Sequence, residues 1–131
     1  MTNTHAGGVE EHLEEYVRDF NSGDFAAVDR HYTEDSISVW DPKTALTGAA
    51  RRDSLAEFLR LGPKLTSRIR ESHVTGDTAL LAVDWTMEVT DADGVTEHLA
   101  GIGADVLARG IDGKWRFAVD SPYGDPRNRT E

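Results

Sequence analysis

The chain has no cysteine, only two methionines and four prolines, and 14 basic residues against 24 acidic ones. Without a thiol there is no disulfide framework, no thiolate nucleophile and no cysteine-ligated zinc, and the composition is compatible with a reducing compartment. A net charge of −10 repels phosphate backbones and anionic headgroups, so neither nucleic acid nor a membrane surface suits it as a partner. The acidic residues are scattered from Glu10 to Asp125. That is the pattern of a solubilising surface, and it carries no information about substrate. No stretch approaches the roughly 18 consecutive apolar residues of a membrane span. Residues 1–8 have neither the basic start nor the apolar segment of a secretory leader, and the expected location is the cytoplasm. His5, His12, His31, His73 and His98 show no metal-ligand spacing. No phosphate loop, dinucleotide fingerprint or Ser-His-Asp order occurs either. No metal and no organic cofactor is expected.

What is present is enough for one core: 131 residues that are 38% apolar, with three Trp, three Tyr and four Phe, and too few for two. Val9, Leu13, Tyr16, Val17 and Phe20 recur at steps of three and four, the mark of a helix with one buried stripe. Glu10, Glu11, Glu14 and Glu15 load its expected first turns, where negative charge suits the dipole. Asn21-Ser22-Gly23-Asp24 reads as a stop and a restart, with Gly23 able to take positive φ and Asp24 capping a second helix that runs through Phe25, Val28 and Tyr32. Ile37 and Val39 alternate with Ser36 and Ser38 in a short strand ending near Asp41-Pro42. A third helix follows Gly48 on Leu55, Phe58 and Leu59, and Gly62-Pro63 ends it. Arg51-Arg52 near its start reads as a solvated helix face or, less simply, as a grip for an anion.

Segments 64–75, 78–90, 95–109 and 114–121 are rich in Val, Thr, Leu and Trp and are separated by Thr75-Gly76-Asp77, Asp91-Ala92-Asp93-Gly94 and Gly110-Ile111-Asp112-Gly113. Glycine-bearing turns between such runs predict an antiparallel meander. Helices gathered ahead of strands predict an α+β fold, with the helices packed on one face of a curved sheet. A single domain over residues 9–123 is expected, with a disordered N-terminal tail at 1–8 and a polar C-terminal tail at 124–131.

Strand parity then says what faces what. Val83, Trp85 and Met87 share a face toward the helices, and Leu99, Gly101, Gly103, Asp105 and Leu107 share one in the next strand. The two glycines leave space there for a pocket. Trp115, Phe117 and Val119 alternate with Arg116, Ala118 and Asp120, so both faces of the last strand need cover, and an apolar outer face points to a homodimer. Tyr16, Asp41 and Asp105 are the chemical candidates, because a phenol and two carboxyls converging on an apolar pocket can move a proton beside a carbonyl. Asp105, set among Gly103, Ala104, Val106 and Leu107, has little solvation, which favours its neutral form. Each has a plainer alternative: a core aromatic for Tyr16, a turn former for Asp41, an arginine-paired or dimer-edge carboxylate for Asp105. Asp120 also reaches the pocket region and is the replacement base if Asp41 points away. Phe20, Tyr32, Trp40, Phe58, Val83, Trp85, Met87 and Leu99 are the expected walls around a small hydrophobic ligand.

The segments Tyr16-Val17…Phe20-Asn21-Ser22-Gly23-Asp24…Val28, Tyr32-Thr33-Glu34-Asp35, Asp112-Gly113-Lys114-Trp115-Arg116 and Val119-Asp120-Ser121-Pro122 resemble the nuclear transport factor 2-like superfamily, in its SnoaL-like and ketosteroid-isomerase-like branch, from about Val9 to Gly124. The resemblance implies a cone-shaped curved antiparallel sheet wrapped around the helical hairpin and the third helix, a cystatin-like α+β barrel. It also implies a cofactor-independent acid/base enzyme that isomerises or cyclises a steroid, terpenoid or polyketide-like carbonyl compound through an enolate. The superfamily also holds lyases and hydratases, and proteins that only bind or assemble, so both alternatives stay open. Ketosteroid isomerases use a general-base Asp with a Tyr and a protonated Asp as oxyanion hole. By position Tyr16 matches the Tyr, Asp105 the protonated Asp, and Asp41 the base in its Asp-Pro context. The stretch from Tyr32 to Asp41 is one residue longer than the family pattern. Without a bulge, that length turns Trp40 inward and Asp41 outward. The Arg-x-Asp strand motif of epoxide-hydrolase relatives is absent.

Overall fold

The apolar stripe of the first helix lies in the hollow of a bent sheet, and the rest of the fold follows from closing that hollow. The computed structural model describes residues 4–41 and 43–128, with side chains from Gly8 onward. The elements in chain order are α1 (Thr4–Ser22), α2 (Phe25–Asp29), β1 (Tyr32–Asp41), β2 (Thr44–Leu46), α3 (Gly48–Leu59), β3 (Lys64–Thr75), β4 (Thr78–Thr90), β5 (Thr96–Arg109) and β6 (Trp115–Asp120), with a 3-10 turn at Pro126–Asn128. One six-stranded sheet has the order β2-β1-β6-β5-β4-β3. It is open, with β2 and β3 at its edges.

The stripe behaves as its spacing demands: Val9, Leu13, Tyr16 and Phe20 are all buried. Fully burying an apolar side chain of this size contributes about 1.5–3 kcal/mol, which is what holds α1 in place. The hairpin turn also forms as expected, with Gly23 at φ 78° and Asp24 accepting the Ala27 amide at 3.3 Å. Asn21 at the end of α1 does a second job. Its amide donates to Leu65 O at 2.9 Å and accepts Leu65 N–H at 2.6 Å, supplying the β3 edge with a substitute strand partner.

Four features depart from the sequence reading. The chain is already helical at Thr4, inside the expected tail, so the glutamates from Glu10 onward sit beyond the first turn. Tyr32 opens β1 instead of ending α2, and the short β2 had no local signal. The sheet is mixed: β3 to β6 form the antiparallel meander, but β1 joins β6 in parallel. Residues 125–128 are not free of the domain. Asn128 pairs with both backbone groups of Ile102, at 2.8 Å and 2.6 Å, and Asp125 is buried. Residues 1–3, 42 and 129–131 of the expected tails and of the Asp41-Pro42 turn lie outside the described residues.

β1 alternates, but its polar side faces in: Ser36 and Ser38 are wholly buried while Ile37 is 37% exposed. The parallel register explains the choice, since Ser38 lies beside Asp120 and Ile37 beside Val119.

Candidate active site

α1, α3 and the concave sheet face enclose a cavity of about 330 Å³. The expected walls Phe20, Trp40, Phe58, Val83, Trp85, Met87 and Leu99 all line it, as do Tyr16, Asp105 and Asp120. The room over the two β5 glycines is taken up by other groups instead of being left as cavity, Trp85 over Gly101 and Ser121-Pro122 over Gly103. A Cβ on Gly101 would sit 2.9 Å from the Trp85 indole, so only glycine lets that ring lie over β5 at this point. Trp85 then donates from Nε1 to Pro122 O at 2.7 Å, which brings Pro122 and Tyr123 in as a wall that strand parity could not reveal.

Asp120 reaches the cavity through a bulge. Leu107 pairs with Phe117, but the next residue back on β5, Val106, pairs with Val119. Ala118 is therefore one residue too many, and it reverses the parity of everything after it. Phe117 faces in, Val119 faces out and Asp120 faces in again, beside Asp105 on the neighbouring strand. Strict alternation would have put Asp120 on the opposite face from Phe117.

The two buried carboxyls have different surroundings. Asp120 Oδ2 accepts the Tyr32 hydroxyl at 2.7 Å and the Trp40 indole N–H at 3.0 Å. Asp105 Oδ1 accepts only the Ser121 amide, at 3.1 Å. Burial pushes both up from the ordinary carboxylate range. For Asp105, the charge of Asp120 adds to burial and carries it well above that range. For Asp120, the hydrogen bonds from Trp40, Tyr32 and Asp105 and the cation of Arg51 oppose burial. One proton on the pair therefore belongs on Asp105, with Asp120 ionised. Two like carboxyls pushed apart by their environments supply an acid and a base side by side.

The phenols extend this network. Tyr32 gives its single proton to Asp120, so the 3.2 Å contact between the two tyrosine oxygens has Tyr16 as donor. Burial, followed by the charge of Asp120, holds both phenols well above their ordinary value, so both keep their protons at neutral pH. A ligand oxygen that takes the Tyr16 proton must compete with Tyr32 for it.

Two placements correct the sequence reading. Asp41 is exposed, is not among the cavity residues, and accepts the Lys43 amide at 2.9 Å. It is a turn former, with Trp40 turned inward. Tyr32 does not line the cavity but stands behind Asp120. Sequence reasoning also missed the burial of Arg51, which is only 1% exposed. Its Nη2 donates to Asp29 at 2.6 Å and its guanidinium lies 4.4 Å over the Tyr32 ring. No side-chain group of three or more His, Asp or Glu suited to a metal ion occurs among the described residues, and no helix there is long and apolar enough to cross a membrane.

The sequence profile described as the SnoaL-like domain matches residues 13–118. Among curated proteins none matches the chain. A solved structure of a ketosteroid isomerase-like protein from Erwinia carotovora atroseptica superposes with a TM-score of 0.74 at 24% identity, over 91% of this chain and 95% of that one. A candidate scytalone dehydratase from Novosphingobium aromaticivorans gives 0.80 at 18% identity, over 98% and 96%. A conserved protein from Planctomyces limnophilus gives 0.83 at 13% identity, over 91% and 94%. At these identities the likeness establishes the cystatin-like α+β architecture and nothing about chemistry.

Proposed function

Because the chain belongs to the SnoaL-like domain family, we propose that its cavity is a cofactor-independent acid–base site that isomerises or cyclises a small apolar carbonyl compound through an enolate. The observation that carries this is the buried pair at the cavity's polar end: Asp120, held by Tyr32 and Trp40 at 2.7 and 3.0 Å, next to a more weakly bonded Asp105. Asp120 removes a proton from the carbon beside the carbonyl, and the C–H electron pair moves into the enolate. Protonated Asp105 and Tyr16 hydrogen-bond the developing oxyanion, and Asp120 returns the proton to a different carbon. The apolar walls strengthen both interactions by excluding water.

A second reading draws on the candidate dehydratase neighbour. The same pair can eliminate water from a β-hydroxy ketone, Asp120 taking the α proton and Asp105 protonating the departing hydroxyl. Three probes separate the possibilities: a naphthol that mimics an enolate, a cyclic β,γ-unsaturated ketone and a β-hydroxy ketone. Red-shifted naphthol absorbance on binding, with conversion of the unsaturated ketone to its conjugated isomer, is the expected result. Loss of water from the hydroxy ketone alone selects the second reading. No naphthol binding and no conversion would leave a ligand-binding or assembly module.

The outer sheet face supports a homodimer. Ile37 pairs with Val119, Val119 with Val106, and Val106 with Leu80, making one apolar row across four strands. Ile37 is 37% and Leu80 48% exposed at its ends. A second copy of the chain can meet this row with the same row. Sedimentation should give a dimer that Leu80→Glu dissociates, and a monomeric wild-type chain at high concentration would contradict it.

A further inference from the structure

Arg51 is the least expected side chain in the core. It closes the first turn of α3, beside the half-buried Arg52, yet it is only 1% exposed. A buried cation is kept at a cost of several kcal/mol unless it is neutralised and fully hydrogen-bonded, and Arg51 has one ion pair but is not fully hydrogen-bonded. Nη2 reaches Asp29 at 2.6 Å, but Nε and Nη1 are buried without a partner. Asp29 is itself 29% exposed, so water screens the one charge that faces Arg51 directly. The positive field is left partly unbalanced.

That field lies behind the acid pair. The guanidinium carbon is 4.4 Å from the centre of the Tyr32 ring, and the Tyr32 hydroxyl is 2.7 Å from Asp120. Neither Arg51 nor Tyr32 lines the cavity. We infer that Arg51 is a positioning residue of this site: stacked on Tyr32 from the side away from the cavity, it fixes the phenol that donates to Asp120 and makes Asp120 the carboxyl that carries the negative charge. The inference rests on the acid–base reading of the cavity, and it adds a charge behind the Trp40 and Tyr32 hydrogen bonds that already favour Asp120 as the ionised carboxyl.

The physical chain has two links. Arginine stacks flat on an aromatic face, and a desolvated cation–π contact resists displacement. Tyr32, pinned in this way, directs its one proton at Asp120 Oδ2. The charge of Arg51 also acts on Asp120 through a poorly screened interior and favours its ionised form. The groups facing Asp120 come from four other elements: Tyr16 on α1, Tyr32 and Trp40 on β1, Arg51 on α3 and Asp105 on β5. Arg51 is the one cation among them. A purely structural Arg51–Asp29 pair would support folding without biasing the carboxyls.

Carboxyl titration distinguishes the two. With aspartate labelled by 13C at the side-chain carboxyl, the wild type should show a coupled pair titrating in two steps. In Arg51→Met the lower step should rise by at least about one pH unit, while in Arg51→Lys, which keeps a charge, it should rise by less than about half as much. Asp29→Asn, which removes the screening carboxylate, should move the lower step down. An unmoved lower step in folded Arg51→Met, or equal movement in the Met and Lys variants, would overturn the inference. If Arg51→Met does not fold, a lower step that stays put or rises in Asp29→Asn overturns it just as well. The titration needs no substrate. If every ketone is inert but the step moves, the enzymatic reading fails and the role of Arg51 stands; if ketones turn over and the step stays, the reverse holds.

Discussion

Asp120→Asn is expected to lower the turnover of a responsive ketone by about two to four orders of magnitude, the usual worth of a positioned general base, while Asp41→Asn leaves it unchanged. The amide is nearly isosteric and its oxygen still accepts from Tyr32 and Trp40, so the cavity should keep its shape and only the proton acceptor is lost. Asp41 is the residue that the family resemblance implies as base, but it is exposed and turned toward the Lys43 amide. Asp105→Ala should cost about 10²–10³-fold, as loss of an oxyanion donor does. The double variant should fall well short of the product of the two, because the carboxyls act as one unit. The measurement is kcat/KM for each variant across pH, with thermal unfolding as the control for folding. Equal activity in the wild type and Asp120→Asn, or a large loss in Asp41→Asn, would remove Asp120 from the mechanism.

How the sequence showed the strands but not the inward turn of Asp120 is a matter of range. The turns that separate β3, β4, β5 and β6 are built on Gly76, Gly94 and Gly113, which adopt φ of 56°, 80° and 80°. Those backbone angles are a local demand that a sequence must answer with glycine, so the meander was legible within one residue. Gly23 and the Asp24 cap marked the helical hairpin for the same reason. The parallel joining of β1 to β6 has no local cause. It depends on which edge of the finished meander is open, and nothing between Tyr32 and Asp41 records that. The Ala118 bulge is equally silent, because an extra alanine in a strand looks like any other alanine. Yet it is what turns Asp120 inward. Ser36 and Ser38 misdirect by polarity, since the apolar side of β1 faces the outer surface. Arg51 misdirects by its neighbour, as two adjacent arginines suggest a solvated helix face.

Acid should loosen this fold through His12, a residue the chemistry does not use. Its ring is 4% exposed and neither nitrogen makes a well-formed hydrogen bond. It packs edge-on against Phe117 at 4.7 Å and His31 at 5.3 Å and lies parallel to Tyr16 at 6.3 Å. Burial, with the nearby His31, pushes it down to about 3 from 6.5, and the backbone of Trp115 only partly resists. The folded value lies below the unfolded one, so the unfolded chain takes up the proton first. The stability His12 permits is complete above about pH 6.5 and is lost as pH falls toward 3. At about 1.4 kcal/mol per unit the loss at pH 4 is roughly 3 kcal/mol, enough to unfold a marginal domain. The acid pair acts in the opposite sense. Asp105 and Asp120 are raised on folding, so their contribution is present below the unfolded carboxylate value and lost as pH rises through their folded values. The whole curve is therefore a sum, and a difference isolates His12. His12→Leu keeps the packing with Phe117 and cannot be protonated. Its stability relative to the wild type should improve by about 3 kcal/mol between pH 7 and pH 4 in urea titrations. Parallel stability curves for the two proteins over that range would show that the buried ring finds a proton acceptor or opens to water before it charges.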